Sequence, residues 1–156
     1  MKQAKTIHRD TPLGEIVLRK YEKPYALEGR ELVRKLCLST GLLQPGDSRD
    51  VIVDVLYVLL HAKKSKREIS SEEIQRLVID ARKDARLPLH GIASSNIRRQ
   101  LKRLRELFLI EKVKNRYCVT EFSNVNEIFE EKIERYLLQS VLGRVKEYVR
   151  LVDEKF

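Results

Sequence analysis

Apolar positions recur at helical spacing in five stretches of this chain and alternate in one. In residues 28–39, Leu32, Val33, Leu36 and Cys37 share a face, acidic residues open the segment, and Gly41 offers a C-terminal stop. A turn at residues 44–48 follows, and Asp47 or Ser48 then caps a helix reaching about residue 63. Its Val51, Val55, Leu56, Val58, Leu59 and Ala62 cover most of the circumference, which predicts a buried central helix. Arg67, Glu68 and Ile69 form a short extended piece. Ser70 and Glu73 make an S-x-x-E capping box ahead of Ile74, Leu77, Val78 and Ala81, predicting a helix over 71–85. Pro88 and Gly91 interrupt the pattern. Ser94 or Ser95 caps a further helix over 95–108, with Ile97, Leu101, Leu104 and Phe108 on one stripe.

Residues 109–122 alternate. Ile110 with Lys112, and Tyr117 with Val119, read as two strands around Lys114, Asn115 and Arg116, because Asn tolerates the positive φ of a tight hairpin turn. From residue 125 to about 154 one long helical pattern runs through Val125, Ile128, Phe129, Ile133, Tyr136, Leu137, Val141, Val145, Tyr148, Val149 and Val152, with Gly143 as its weak spot. At the other end, residues 1–12 read as mobile. Residues 13–24 fit a short helix through Ile16, Val17 and Tyr21, or a strand through their β-branched content, and Pro24 ends either one. The fold class is mainly α with a small β-hairpin. Three segments are expected: 1–46 as an N-terminal extension with one or two short helices, 47–122 as a central domain, and 123–156 as a long C-terminal helix.

Charge changes the picture. The chain carries 32 Lys and Arg against 23 Asp and Glu, a net charge of +9 over 156 residues. The surplus is concentrated. Residues 94–116 hold eight basic and two acidic residues, whereas residues 121–156 hold six and eight. Such asymmetry favours a polyanion face over a generic charged surface. The two cysteines, Cys37 and Cys118, belong to no CxxC or Cys/His cluster, so no metal site is expected. The N-terminus lacks the apolar core of a signal peptide, and Val51 to Leu60 is too short to span a bilayer. The expectation is a cytoplasmic protein with no membrane contact, no cofactor and no evident small-molecule ligand.

The stretch SSNIRRQLKRLRELFLIEKVKNRYCVTEF, residues 94–122, resembles the recognition helix and wing of the winged helix-turn-helix superfamily, in which a small polar cap precedes an amphipathic basic helix, a Leu-Ile pair and a basic hairpin. The resemblance covers about half the chain at superfamily level and implies a winged helix-turn-helix domain with N- and C-terminal helical extensions. Members commonly place Gly before the Leu-Ile pair, where this chain has Phe108, and use a shorter turn than residues 86–93. The residues carry the reading independently. With Ile97, Leu101, Leu104 and Phe108 facing inward, Arg98, Arg99, Lys102, Arg103 and Arg105 must project elsewhere. A major groove admits one helix, and Arg bonds guanine bidentately. Ser95, Asn96, Arg98, Arg99 and Lys102 are the candidate base readers, although Asn96 also suits a phosphate or a cap; Arg103 and Arg105 suit phosphates or solvent. Lys112, Lys114 and Arg116 suit DNA backbone or minor groove at the wing, or protection of an edge strand.

The partner expected is double-stranded DNA, and the function implied is transcriptional regulation in a prokaryote. The long C-terminal stripe exceeds what one small domain needs to cover itself, so a homodimer is expected. Other readings are a protein-interaction module, a replication or partition factor, or a nucleic-acid-processing enzyme using His61 or an Asp pair. Catalysis has little support: His8, His61 and His90 are scattered, and no Walker loop, GxSxG or HExxH is present. Asp50 and Asp54 share a helix face, with capping as the account of Asp47 and Asp50, and Asp80 and Asp84 are expected to pair with Arg76, Lys83 or Arg86.

Overall fold

The computed structural model describes residues 9–156. Most of the segment expected to be mobile, and His8 with it, lies outside these residues. Helix α1 (Gly29–Ser39) is followed by α2 (Val51–Lys64), β1 (Ile69–Ser70), α3 (Ser71–Asp84), α4 (Ser94–Glu106), β2 (Ile110–Val113) and β3 (Arg116–Val119). A long C-terminal helix then runs as α5 (Val125–Ile128), a π-helical stretch (Phe129–Leu138) and α6 (Gln139–Lys155), with helical backbone angles at both junctions. The protein is mainly helical with one three-stranded antiparallel sheet in the order β1-β3-β2. No helix among the described residues is long and apolar enough to cross a membrane.

The binary pattern explains why these elements meet. Ile52, Val53, Val55 and Leu59 of α2 are almost fully buried, so α2 is the central helix that its all-round apolar pattern predicts. Around it lie Val33 and Cys37 of α1, Ile74 and Val78 of α3, Ile97, Leu101 and Leu104 of α4, Ile69 of β1 and Val119 of β3. Each fully buried aliphatic side chain contributes about 1.5–3 kcal/mol relative to exposure. Ile128 and Ile133 of the C-terminal helix close the same core. These two stand five residues apart, a spacing that the wider turn of a π-helix aligns better than an α-helix does. Residues 29–43 and the start of the C-terminal helix therefore share one core with the central segment.

Several local expectations need correction. Residues 13–24 form neither a helix nor a strand. They run extended beside α1, where Arg19 donates from its backbone to Ser39 O (2.8 Å) and from its guanidinium to Leu38 O, Leu43 O and Gln44 Oε1. Satisfying these carbonyls replaces the regular ladder that β-branched content suggested. Helix α2 begins at Val51 and has neither Asp47 nor Ser48 as its cap. Asp47 instead accepts from the Arg49 N–H, and Asp50, at the capping position, turns its carboxylate to Arg30 and Arg82. Helix α4 starts at Ser94 after Ala93, without a side-chain cap, and ends at Glu106. Phe108 lies beyond it with φ +64°. The capping box is half formed: Ser70 Oγ accepts from the Glu73 N–H, while the Glu73 carboxylate meets Arg67 at 2.7 Å. Asp80 and Asp84 enter none of the ion pairs among the described residues, and Arg76 approaches Glu73 instead. The hairpin turn is Lys114-Asn115 alone, both at positive φ, and Arg116 opens β3.

Asp54, which interrupts the apolar run of α2, is 1 % exposed and lies between two guanidinium groups. Arg82 of α3 donates to it at 2.6 Å and Arg30 of α1 at 2.9 Å; both arginines also reach Asp50. Burial works against the ionised Asp50, but hydrogen bonds and charge from Arg30 and Arg82 outweigh it and hold its carboxyl below the ordinary range. The same carboxylates hold Arg30 above its ordinary value in spite of burial. No buried side-chain polar atom among the described residues lacks a hydrogen-bond partner.

Two outcomes follow from this network. Asp54→Asn removes the charge shared by two arginines and is expected to cost about 3–5 kcal/mol in chemical denaturation. Asp50, whose folded pKa is depressed, contributes stability that is present above its ordinary titration near pH 3.9 and lost as pH falls through the folded value. Acid unfolding of Asp50→Asn should therefore show a shallower loss of stability below pH ~4 than the wild type does.

Candidate nucleic-acid interface

Helix α4 sorts its side chains by the 3.6-residue period. Ile97, Leu101 and Leu104 are buried, which turns Ser95, Arg98, Arg99, Lys102 and Arg105 to solvent. Glu106 is the one acid on the helix, and it approaches Lys102 at 3.9 Å. An exposed pair at that distance leaves Lys102 available to another anion. Between α4 and β2 lies a shallow groove of about 450 Å³ lined by Lys102, Arg105, Glu106, Ile110, Glu111 and Lys112. Helix and hairpin thus present cations to a shared surface. Lys114 and Arg116 are exposed at the hairpin tip, outside the groove lining. Lys112 stands over the Tyr117 ring, 5.8 Å from its centroid.

Two of the nine sequence-predicted site residues are half-buried and hydrogen-bonded within the chain. Asn96 donates from Nδ2 to Gly91 O at 2.6 Å and accepts from Gln100 Nε2 at 3.0 Å. Arg103 donates to Gln100 Oε1 at 2.9 Å and to Leu42 O at 2.6 Å, tying α4 to the segment after α1. Ser95, Arg98, Arg99, Lys102, Lys112, Lys114 and Arg116 are exposed. Arg105, which the sequence reading left between phosphate and solvent, lines the groove. Its signal was present in the sequence: it follows Arg98 by seven residues, two turns along the same side of the helix.

The chain before α4 is pinned from three directions. Arg82 Nε donates to Pro88 O at 2.7 Å, Gln75 donates to Ile92 O at 2.8 Å, and Asn96 reaches Gly91 O. Gly91 has φ +78°, which favours glycine, and a Cβ there would stand 3.0 Å from Asn96 Nδ2, a tight approach. After α4, Phe108 occupies the left-handed conformation at a cost of about 1–3 kcal/mol. Thr120 Oγ1 donates to its carbonyl at 2.7 Å, and its ring meets Tyr136 edge-on at 5.9 Å, contacts that offset the strain.

Neither cysteine offers chemistry here. Burial pushes the Cys37 thiol up to about 12, and burial with the neighbouring Glu111 carboxylate pushes Cys118 up to about 11. No group of three or more His, Cys, Asp or Glu that could hold a metal ion occurs among the described residues. No protein-family model, curated protein or solved structure matches this chain.

The division of the basic residues is directly measurable. Arg103→Ala should lower stability by about 1–3 kcal/mol, because it leaves the Leu42 carbonyl without its partner. Arg99→Ala, on the exposed face, should stay within about 0.5 kcal/mol of wild type in the same urea titration.

Proposed function

We propose that residues 51–119 are a winged helix-turn-helix unit that binds double-stranded DNA, with α4 in the major groove and the β2–β3 hairpin against the adjoining backbone. The observation that carries this reading is the exposed cationic face of α4 continued by the hairpin, with Lys102, Arg105 and Lys112 around one groove. Support for the fold assignment comes from the order of elements, α2-β1-α3-α4-β2-β3, and the sheet order β1-β3-β2. Both departures from the superfamily pattern have a physical account. Phe108 adopts a positive φ, the conformation glycine tolerates best, and the long link before α4 is held by Arg82, Gln75 and Asn96.

Within this reading Arg98, Arg99 and Lys102 reach base edges or phosphates, and Ser95 lies at the helix start, where the free N–H groups of the first turn favour a phosphate. Lys114 and Arg116 meet the backbone as exposed cations. Asn96 and Arg103 hold α4 in position and read no base. A role in transcription is the commonest use of such a domain and rests on that analogy.

The test is fluorescence anisotropy of a labelled duplex against salt, for wild type and for Arg98→Ala with Arg99→Ala. Binding should weaken steeply with salt, and the double variant should bind more weakly with a log–log slope reduced by about 2, since each phosphate contact contributes roughly 0.9. Duplex RNA should compete poorly, its major groove being too narrow for the helix. Absence of duplex binding by the wild type at low salt would overturn the reading and turn attention to acidic protein partners.

A further inference from the structure

We propose that residues 139–155 form an antiparallel two-helix interface with a second copy of this chain. Helix α6 contributes no residue to the core. Nevertheless Leu142, Val145, Tyr148, Val149 and Val152 recur on one side of it and are each at least 40 % exposed, and Phe156 extends the stripe. Residues 9–14 line a cleft of about 770 Å³ with Tyr136, Val141, Val145 and Tyr148 at the start of this stripe, and Val149 and Val152 beyond it are each 55 % exposed. These side chains leave a continuous apolar strip open to solvent, the kind of patch that marks an interaction surface.

Charge decides the occupant and its direction. Lys146 and Asp153, seven residues apart, lie along one flank of the stripe, and both are exposed. In an antiparallel pair each flank faces the same flank of the other copy. A two-fold axis passing beside Val149 therefore sets Lys146 against Asp153 twice, while Val145 approaches Val152 and Tyr148 packs across the axis. The surface is self-complementary, as a two-fold interface must be. A parallel pair would instead set Lys146 near Arg144. On that second flank Arg144 is already held by Glu147 of its own helix at 2.6 Å. The macrodipoles of antiparallel helices also oppose favourably. Combined with the DNA reading, this interface would relate two copies of α4 by a two-fold axis and so demand a palindromic site.

The interface is tested without DNA, so its failure is separable from failure of the DNA reading. Sedimentation equilibrium of the full chain at tens of micromolar should give twice the 18.3 kDa chain mass. Val145→Glu with Val149→Glu should shift the protein to monomer with unchanged far-ultraviolet circular dichroism, since neither side chain lies in the core. Lys146→Asp should weaken association by at least about tenfold, because it sets two carboxylates against each other at each of two symmetric contacts. Adding Asp153→Lys should restore it, a rescue that only the antiparallel arrangement allows. A wild-type monomer would overturn the proposal and assign the stripe to residues 1–14 of the same chain or to a different protein. A dimer indifferent to the glutamates would overturn it equally, and failure of the charge-swap rescue would overturn the antiparallel register.

Discussion

The carboxylate of Asp54 is the point on which the helical arrangement depends. It lies in the most apolar helix among the described residues, between Arg30 of α1 and Arg82 of α3, and Asp50 closes the cluster. Desolvating a charge costs several kcal/mol, so such a group survives only where geometry and hydrogen bonds compensate it. Here every polar atom finds a partner. The cluster thereby specifies how three helices meet, where apolar packing alone would tolerate sliding. Its reach extends further, because Arg82 also donates to Pro88 O and holds the chain that delivers α4. A buried ion network is thus joined, through one guanidinium, to the orientation of the basic helix.

That helix divides its polar residues between two tasks. Those nearest the core, Asn96 and Arg103, spend their hydrogen bonds on Gly91, Gln100 and Leu42. Those pointing outward, Arg98, Arg99, Lys102 and Arg105, have no strong internal partner, and Lys102 and Arg105 line a groove with Lys112 of the hairpin. A rigid seat and a free cationic face are what reversible binding of a polyanion requires, since ordering long side chains at the interface would otherwise weaken association.

The C-terminal helix changes character along its length. Ile128 and Ile133 enter the core and Phe108 packs on Tyr136, yet no residue of α6 is buried. An amphipathic helix is stabilised mostly by packing its apolar face. The stripe of α6 beyond the cleft lined by residues 9–14 stays exposed, with Val149 and Val152 open to solvent.

Much of this was legible from residue order. The five helical stretches, the hairpin, the central position of α2 and the outward cations of α4 follow from apolar periodicity, because side chains must alternate or recur to bury one face. Periodicity carries no information on which polar residues meet across the fold. Asp50 read as a cap, residues 13–24 as a helix or strand, and the internal hydrogen bonds of Asn96 and Arg103 had no signal in the pattern. Their partners, Arg30 and Arg82, Gly91 and Leu42, and the carbonyls around Ser39, lie from five to 61 residues away in sequence, or reach through a backbone that periodicity does not describe. The sequence determined the elements and the sign of their exposed faces; only the tertiary structure decided which charges are buried and paired and which remain free, because that choice depends on distances that exist only after the chain has folded.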